Sequence, residues 1–234
     1  MAQASVAGFL PSTSGFHFAN DFPDGPFLEI RLAGLSVPIG NAGNGLCGGM
    51  VFAVRDLFEA NLPPPSVTEA PARGSPLFAY LVRRSVASFN LPGGPLKYLM
   101  WMALPEGDTL IGLAGLARRT VQQWGLVWLD LEAGKPSPVG LIRAGSANPM
   151  KLGQNHQVLV YAYHFEETSG ALRLSVYDPN HPDDDTTSLS LNVRAQGAAF
   201  TINYLPEEAP VRGFFRTMYR PGDRAVLASI AARN

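Results

Sequence analysis

The order of hydrophobic patterns along the chain is the feature that most constrains its fold. Helical spacing dominates the first 135 residues, where Met50, Val54, Leu57 and Phe58 form one stripe. Helices are predicted at 47–62, 75–89, 108–119 and 121–133. Strands are predicted at 28–37, 139–144, 155–165, 172–177, 187–194 and 198–204. This order predicts an α+β fold, in which a helix-rich half packs against a mostly antiparallel sheet within a single domain over 1–234 (halves 1–135 and 136–234).

Bulk composition excludes several classes of protein. The net charge of −1 offers no electrostatic attraction for nucleic acid or for an anionic membrane. No apolar run approaches the ~20 residues of a membrane helix, and no basic segment marks a secretory signal at the N-terminus. The one cysteine excludes an intrachain disulfide and a multi-thiolate zinc site. We therefore expect a cytoplasmic protein.

That cysteine, Cys47, opens the first amphipathic helix, directly after a loop rich in Gly and Asn at 40–45. A thiol at a helix N-terminus has its pKa lowered by the helix dipole and by free backbone N–H groups. Gly48 and Gly49 are expected to leave room for a substrate backbone beside the thiol. Farther along the helix, a face opposite the apolar stripe is predicted to be polar; its residues are Arg55, Asp56 and Glu59.

A base for this thiol is available in His156, at the entry to an apolar strand. A further group must orient the imidazole, and the following strand ends in two candidates. If Phe165 pairs with Ala171 across the intervening turn, the antiparallel partner of His156 is Asn180. A slip of two residues makes the partner Asp178 instead. Both side chains can point to the same face of the sheet as His156.

Three segments together resemble the papain-like (clan CA) cysteine peptidases, in a style closest to the bacterial bacteriocin-processing members. They are Gly45-Leu-Cys47-Gly-Gly-Met50 opening a helix, Gln154-Asn-His156-Gln-Val-Leu-Val opening a strand, and Val176-Tyr-Asp178-Pro-Asn180 ending the next one. The resemblance covers roughly residues 40–180. It departs from papain itself at the two glycines after the cysteine, where papain-type enzymes have an aromatic residue.

The resemblance implies a role for each site residue. Cys47 would be the nucleophile, His156 the general base and acid, and Asp178 the orienting group. The family places a Gln six residues before the cysteine, where it helps to form the oxyanion hole; here that position is Asn41. Asn44 is a competing candidate for the same task, and the backbone N–H of Cys47 would be the second donor.

The implied activity is hydrolysis of an amide or peptide bond through an acyl-enzyme, with a peptide or protein as substrate and with no cofactor or metal. Two alternatives stay open. An amine could replace water, which would make an acyltransferase, an amide-forming or a transglutaminase-type enzyme. The domain could also be catalytically inactive and bind a peptide or protein, since Asn replaces Gln at position 41. An acidic run at 183–185 suits calcium, but we favour a solvated loop.

Overall fold

The computed structural model describes residues 1–22, 46–90, 93–109, 114–207 and 210–231, together with the backbone of two strands at 28–32 and 35–39. Its helices are α1 Pro11–Ser14, α2 Cys47–Glu59, α3 Pro76–Ser88, α4 Gly93–Met102, α5 Leu116–Glu132 and α6 Arg224–Ala231. Its strands are β1 Ala2–Ser5, β2 Leu28–Leu32, β3 Leu35–Ile39, β4 Ser137–Ile142, β5 His156–Glu166, β6 Ala171–Tyr177, β7 Ser188–Asn192, β8 Ile202–Leu205 and β9 Gly213–Arg216.

Antiparallel pairing joins seven strands into one sheet in the order β8-β7-β6-β5-β4-β9, with β1 added beside β5. One edge of β5 is shared, because β4 pairs with its first five residues and β1 with its residues 162–165. Strands β2 and β3 form a separate hairpin. The predicted α+β class is confirmed.

Three predicted elements differ from the structure. The strand expected at 28–37 is the hairpin β2–β3. In place of the two helices expected at 108–119 and 121–133, the described residues of this stretch form one helix, α5, which begins at Leu116. Asp108 is not helical and accepts a hydrogen bond from the Gly115 N–H (2.9 Å), and residues 110–113 lie outside the described part. Helix α4 was not predicted. It begins Gly-Gly-Pro, and a proline near the start of a helix already has the helical φ.

Helix α2 is the central helix of the fold, and its predicted polar face is wrong. Arg55 and Asp56 are as buried as the apolar stripe, with 5% and 4% of their surface exposed. Helix α3 and the segment after β9 cover them. The Asp56 carboxylate is satisfied by the Tyr80 hydroxyl (2.8 Å), the Tyr219 hydroxyl (2.6 Å), the Gly222 N–H (2.8 Å) and the Arg84 guanidinium (2.6 Å).

We expect Asp56→Ala to lower the free energy of unfolding by about 3–5 kcal/mol, because it leaves the buried Arg84 guanidinium without its counter-charge. Urea denaturation measures this loss. The matched control is Glu69→Ala, which removes an exposed carboxylate and should change the free energy by less than about 0.5 kcal/mol. Equal effects of the two substitutions would contradict the structural role of Asp56.

No helix in the described part of the chain is long and apolar enough to cross a membrane.

Candidate active site

Cys47 is the first residue of α2 and is partly exposed, whereas the ten residues that follow it are buried. The helix N-terminus therefore presents its thiol at a surface while the rest of the helix is held in the core. The N–H of Leu46, just before the helix, donates to the side-chain oxygen of Asn20 (2.6 Å). This bond fixes the start of the helix, and with it the thiol, against the N-terminal segment.

The two glycines after Cys47 serve packing, which differs from the expected role. A Cβ on Gly48 would lie 2.2 Å from the Ser88 Oγ, and one on Gly49 would lie 2.2 Å from the Leu81 carbonyl oxygen. Both positions face α3 rather than open space. The glycines thus allow α3 to approach the start of α2, and they do not make room for a substrate.

His156, the first residue of β5, has 5% of its surface exposed. Its Nε2 lies 2.6 Å from the Oδ1 of Asp178. The Cys47 side chain lies close enough to the ring to contribute to raising the pKa of His156. Because Nε2 is occupied by the carboxylate, Nδ1 is the nitrogen left to face the thiol. The structure therefore brings Cys47, His156 and Asp178 together in one line of contacts.

Asp178 is fully buried, and all its described partners are hydrogen-bond donors or the imidazole. Its Oδ1 accepts a second bond from the Asn180 N–H (2.8 Å), and its Oδ2 accepts one from the Tyr204 hydroxyl. A buried carboxylate held in this way has a fixed orientation, and so does the ring it contacts. The sequence reasoning missed Tyr204, since nothing local shows that β8 reaches this carboxylate.

The pKa values of His156 and Asp178 shift in opposite directions. Burial alone would lower the pKa of His156, but the charge and hydrogen bond of Asp178, aided by Cys47, raise it to about 10. Burial would raise the pKa of Asp178, but the charge and hydrogen bond of His156, aided by Tyr204 and Asn180, lower it to about 2. Near neutral pH the pair is thus an imidazolium and a carboxylate.

A β-bulge in β5 determines to which face of the sheet the Asp178 side chain points. The hairpin pairs Glu166 with Ala171, one residue away from the pairing of Phe165 with Ala171 considered above. The register then shifts between Val160 and Ala162, where β5 has one extra residue. The extra residue cancels the one-residue offset of the hairpin, so the residues of β5 before the bulge pair as they would if Phe165 were opposite Ala171.

Beyond the bulge, Leu159 pairs with Tyr177. Three further steps in this register set His156 opposite Asn180, and Asp178 lies on the same face, one diagonal step away. Without the bulge, the Asp178 side chain would point to the other face of the sheet. Of the two candidates left open by the sequence, the structure brings Asp178 to the imidazole.

Asn180 has other contacts; none of its described hydrogen bonds is to His156. Its side-chain oxygen accepts from the Asn20 side chain (3.2 Å), and its own amide reaches Glu207 (3.4 Å). Asn20 also donates its N–H to the Pro179 carbonyl (2.8 Å). With its bond to Leu46, Asn20 thus joins the start of the cysteine helix to the turn that carries Asp178. No sequence pattern marked this residue.

The predicted oxyanion residues Asn41 and Asn44 lie outside the described residues.

One group in the described part could hold a metal ion. Asp178, His181 and Glu207 offer atoms that all lie within 4.8 Å of one another. Both Asp178 oxygens already accept hydrogen bonds, and Glu207 pairs with Arg143. An ion here would displace the contact between Asp178 and the imidazole, so the residues fit the hydrogen-bonded arrangement better than a metal.

Two carboxylates of the acidic run at 183–185 bind the N-terminal segment. Asp183 lies 2.6 Å from the His17 Nδ1, and Asp185 accepts from the Ser12 hydroxyl (2.7 Å). Asp184 accepts from the Thr186 hydroxyl (2.6 Å). Each carboxylate has a protein partner, and Asp183 and Asp185 are exposed, in keeping with the solvated loop that the sequence favoured.

Comparison of the chain with protein-family models, with curated proteins and with solved structures gave no match. The geometry around Cys47 is therefore what bears on function. A partly exposed thiol at a helix N-terminus, a charged imidazole and a buried carboxylate form the set of groups that nucleophilic catalysis needs.

Proposed function

We propose that this chain is a papain-like cysteine hydrolase that cleaves an amide or peptide bond through an acyl-enzyme on Cys47. The contact chain from Cys47 through His156 to Asp178 carries the proposal. The three side chains come from a helix, a strand and a turn, and they meet where the partly exposed thiol contacts the buried imidazole and carboxylate. A buried structural cysteine would not require this arrangement.

In the proposed reaction, the Cys47 thiolate attacks the carbonyl carbon and forms a tetrahedral oxyanion. The backbone N–H of Cys47 is one donor to this oxyanion, and Asn41 is the proposed second. When the carbon–nitrogen bond breaks, the His156 imidazolium gives its Nδ1 proton to the leaving amine. The neutral imidazole then takes a proton from water, whose oxygen attacks the thioester and releases the carboxylate product and the thiolate. Asp178 keeps the ring oriented throughout.

The pH dependence of alkylation tests the first requirement of this reaction. Cys47 is the one cysteine, so intact mass after iodoacetamide reports on it alone. We expect the rate to persist well below pH ~7, whereas a free thiol, with a pKa near ~8.5, loses reactivity there. We also expect His156→Ala to remove this low-pH reactivity, because the imidazolium stabilises the thiolate.

His164→Ala is the matched control, since it removes an exposed histidine from the far end of the same strand. It should leave the pH profile unchanged. A wild-type rate that follows an ordinary thiol, or labelling that requires unfolding, would show that Cys47 is structural and would defeat the proposal.

A further inference from the structure

A groove of about 710 Å³ opens beside the candidate active site, between the C-terminal end of α3, helix α4, helix α5 and strand β9. Ser88 closes its α3 side, and Lys97 and Tyr98 line it from α4. Phe215 and Thr217 line it from β9 and from the residue that follows β9. The groove is therefore walled by apolar rings and carries polar groups at defined positions.

The charges of the groove are of one sign. Its described lining contains Lys97, Arg216 and Arg220 but neither Asp nor Glu. Arg216 is neutralised by Asp130, to which its guanidinium donates at 2.6 and 2.8 Å. Lys97 and Arg220 remain as cations that face the groove. In a chain of net charge −1, this concentration of positive charge selects an anionic ligand.

The Lys97 ammonium is held in place by its contacts and keeps N–H donors for a ligand. Its Nζ lies 4.2 Å from the centre of the Phe215 ring and donates one hydrogen bond to the Arg216 carbonyl oxygen (3.2 Å). An ammonium has three N–H donors, so two remain. Burial, and then the charge of Arg216, lower the pKa of Lys97 to about 8. An anion in the groove would supply the missing counter-charge.

Thr217 provides a second, independent indication of a ligand. Only 4% of its surface is exposed, and its hydroxyl has no hydrogen-bond partner in the described structure. Its backbone N–H, by contrast, donates to the Pro138 carbonyl (2.8 Å). A buried hydroxyl without a partner is unfavourable, and a ligand oxygen in the groove that Thr217 lines would satisfy it.

The inner end of the groove reaches the neighbourhood of the thiol. The Ser88 Oγ lies 2.2 Å from the position that a Cβ on Gly48 would take. Gly48 directly follows Cys47. Burial raises the pKa of the Tyr98 hydroxyl, and the Cys47 side chain is close enough to contribute to the same shift. Two residues that line the groove, Ser88 and Tyr98, thus lie close to the segment that carries the thiol.

We propose that the groove is a subsite for an acidic side chain of the substrate, whose carboxylate binds Lys97 and the Thr217 hydroxyl while its aliphatic part packs on Phe215. This rests on the proposed function, since it assumes that the substrate reacts at Cys47. The groove would give the enzyme a preference for glutamate near the scissile bond. A neutral residue of the same shape would leave the lysine without a counter-charge.

Iodoacetyl-capped tripeptides test this, because their reaction with Cys47 needs no known substrate. One set carries Gln at all three positions, and three others replace a single Gln by Glu. At one position we expect Glu to raise the second-order labelling rate by about tenfold, as a charged hydrogen bond would. Lys97→Met should remove this preference. Lys135→Met, at an exposed lysine after α5, should retain it.

Thr217→Val gives a second variant that separates binding from folding. It should reduce the preference for Glu, while the melting temperature stays the same or rises, because a buried hydroxyl without a partner is removed. Equal labelling by the Glu and Gln peptides at every position, or a preference that survives Lys97→Met, would overturn the subsite. Failure of the proposed function gives a different result, namely iodoacetamide labelling that does not depend on His156.

Discussion

Cys47→Ala should lower the turnover of any amide substrate by about a millionfold, as removal of the nucleophile does in other covalent hydrolases. The proposed acyl-enzyme requires the Cys47 sulfur, and the described groups around it offer no replacement nucleophile. The measurement is kcat for wild type and variant on the same substrate, for example the best peptide from a library of Glu-containing amides.

The melting temperature is the control for Cys47→Ala, because it reports whether the variant is folded. Cys47 is partly exposed at the start of α2, so loss of its sulfur should leave the melting temperature within a few degrees of wild type. A folded Cys47→Ala protein with near wild-type turnover would contradict the mechanism. If neither protein turns over any amide and both bind the same peptide equally, the inactive binding domain becomes the better description.

Asp178→Asn should lower kcat by about 10³–10⁴-fold, because a neutral amide lacks the negative charge with which the carboxylate stabilises the imidazolium. Asn180→Ala is the matched variant. Asn180 contacts Asp178 through its backbone N–H, which Ala retains, so we expect a loss of less than about tenfold. If neither change costs more than tenfold, about 1.4 kcal/mol of barrier, the orienting role is wrong and a Cys47–His156 dyad remains.

The same substitution should change how stability depends on pH. The lowered pKa of Asp178 gives stability that is present above its unfolded value of ~3.9 and is lost as the pH falls toward 2. The raised pKa of His156 gives stability that is fully present below ~6.5 and is lost as the pH rises through about 10. The destabilisation by Asp178→Asn, measured in urea, should therefore be largest between about pH 4 and 6.5. A difference independent of pH would contradict the ion pair.

Local patterns in the sequence were enough for the elements that carry the candidate site. Helical spacing identified α2 and its start at Cys47, and alternating strands identified β5, with His156 at its entry, and β6, with Asp178 just beyond its end. These predictions succeeded because helix periodicity, strand alternation and turn residues are properties of neighbouring positions. The α+β class follows from their order.

Contacts between distant segments decided the rest. The polar face of α2 is buried because the segment after β9 returns to Asp56. Asn20, in the N-terminal segment, joins the start of α2 to the turn that carries Asp178. Neither contact leaves a pattern in the local sequence.

The parity that brings Asp178 to His156 depends on the bulge at Tyr161, which only tertiary contacts explain. The Tyr161 ring packs 5.3 Å from that of Phe9, and its carbonyl oxygen accepts the Val6 N–H (2.9 Å). The N-terminal segment thus binds the one extra residue of β5. A one-residue shift reverses the face of every side chain beyond it, so a packing contact outside the site determines that Asp178 faces the imidazole.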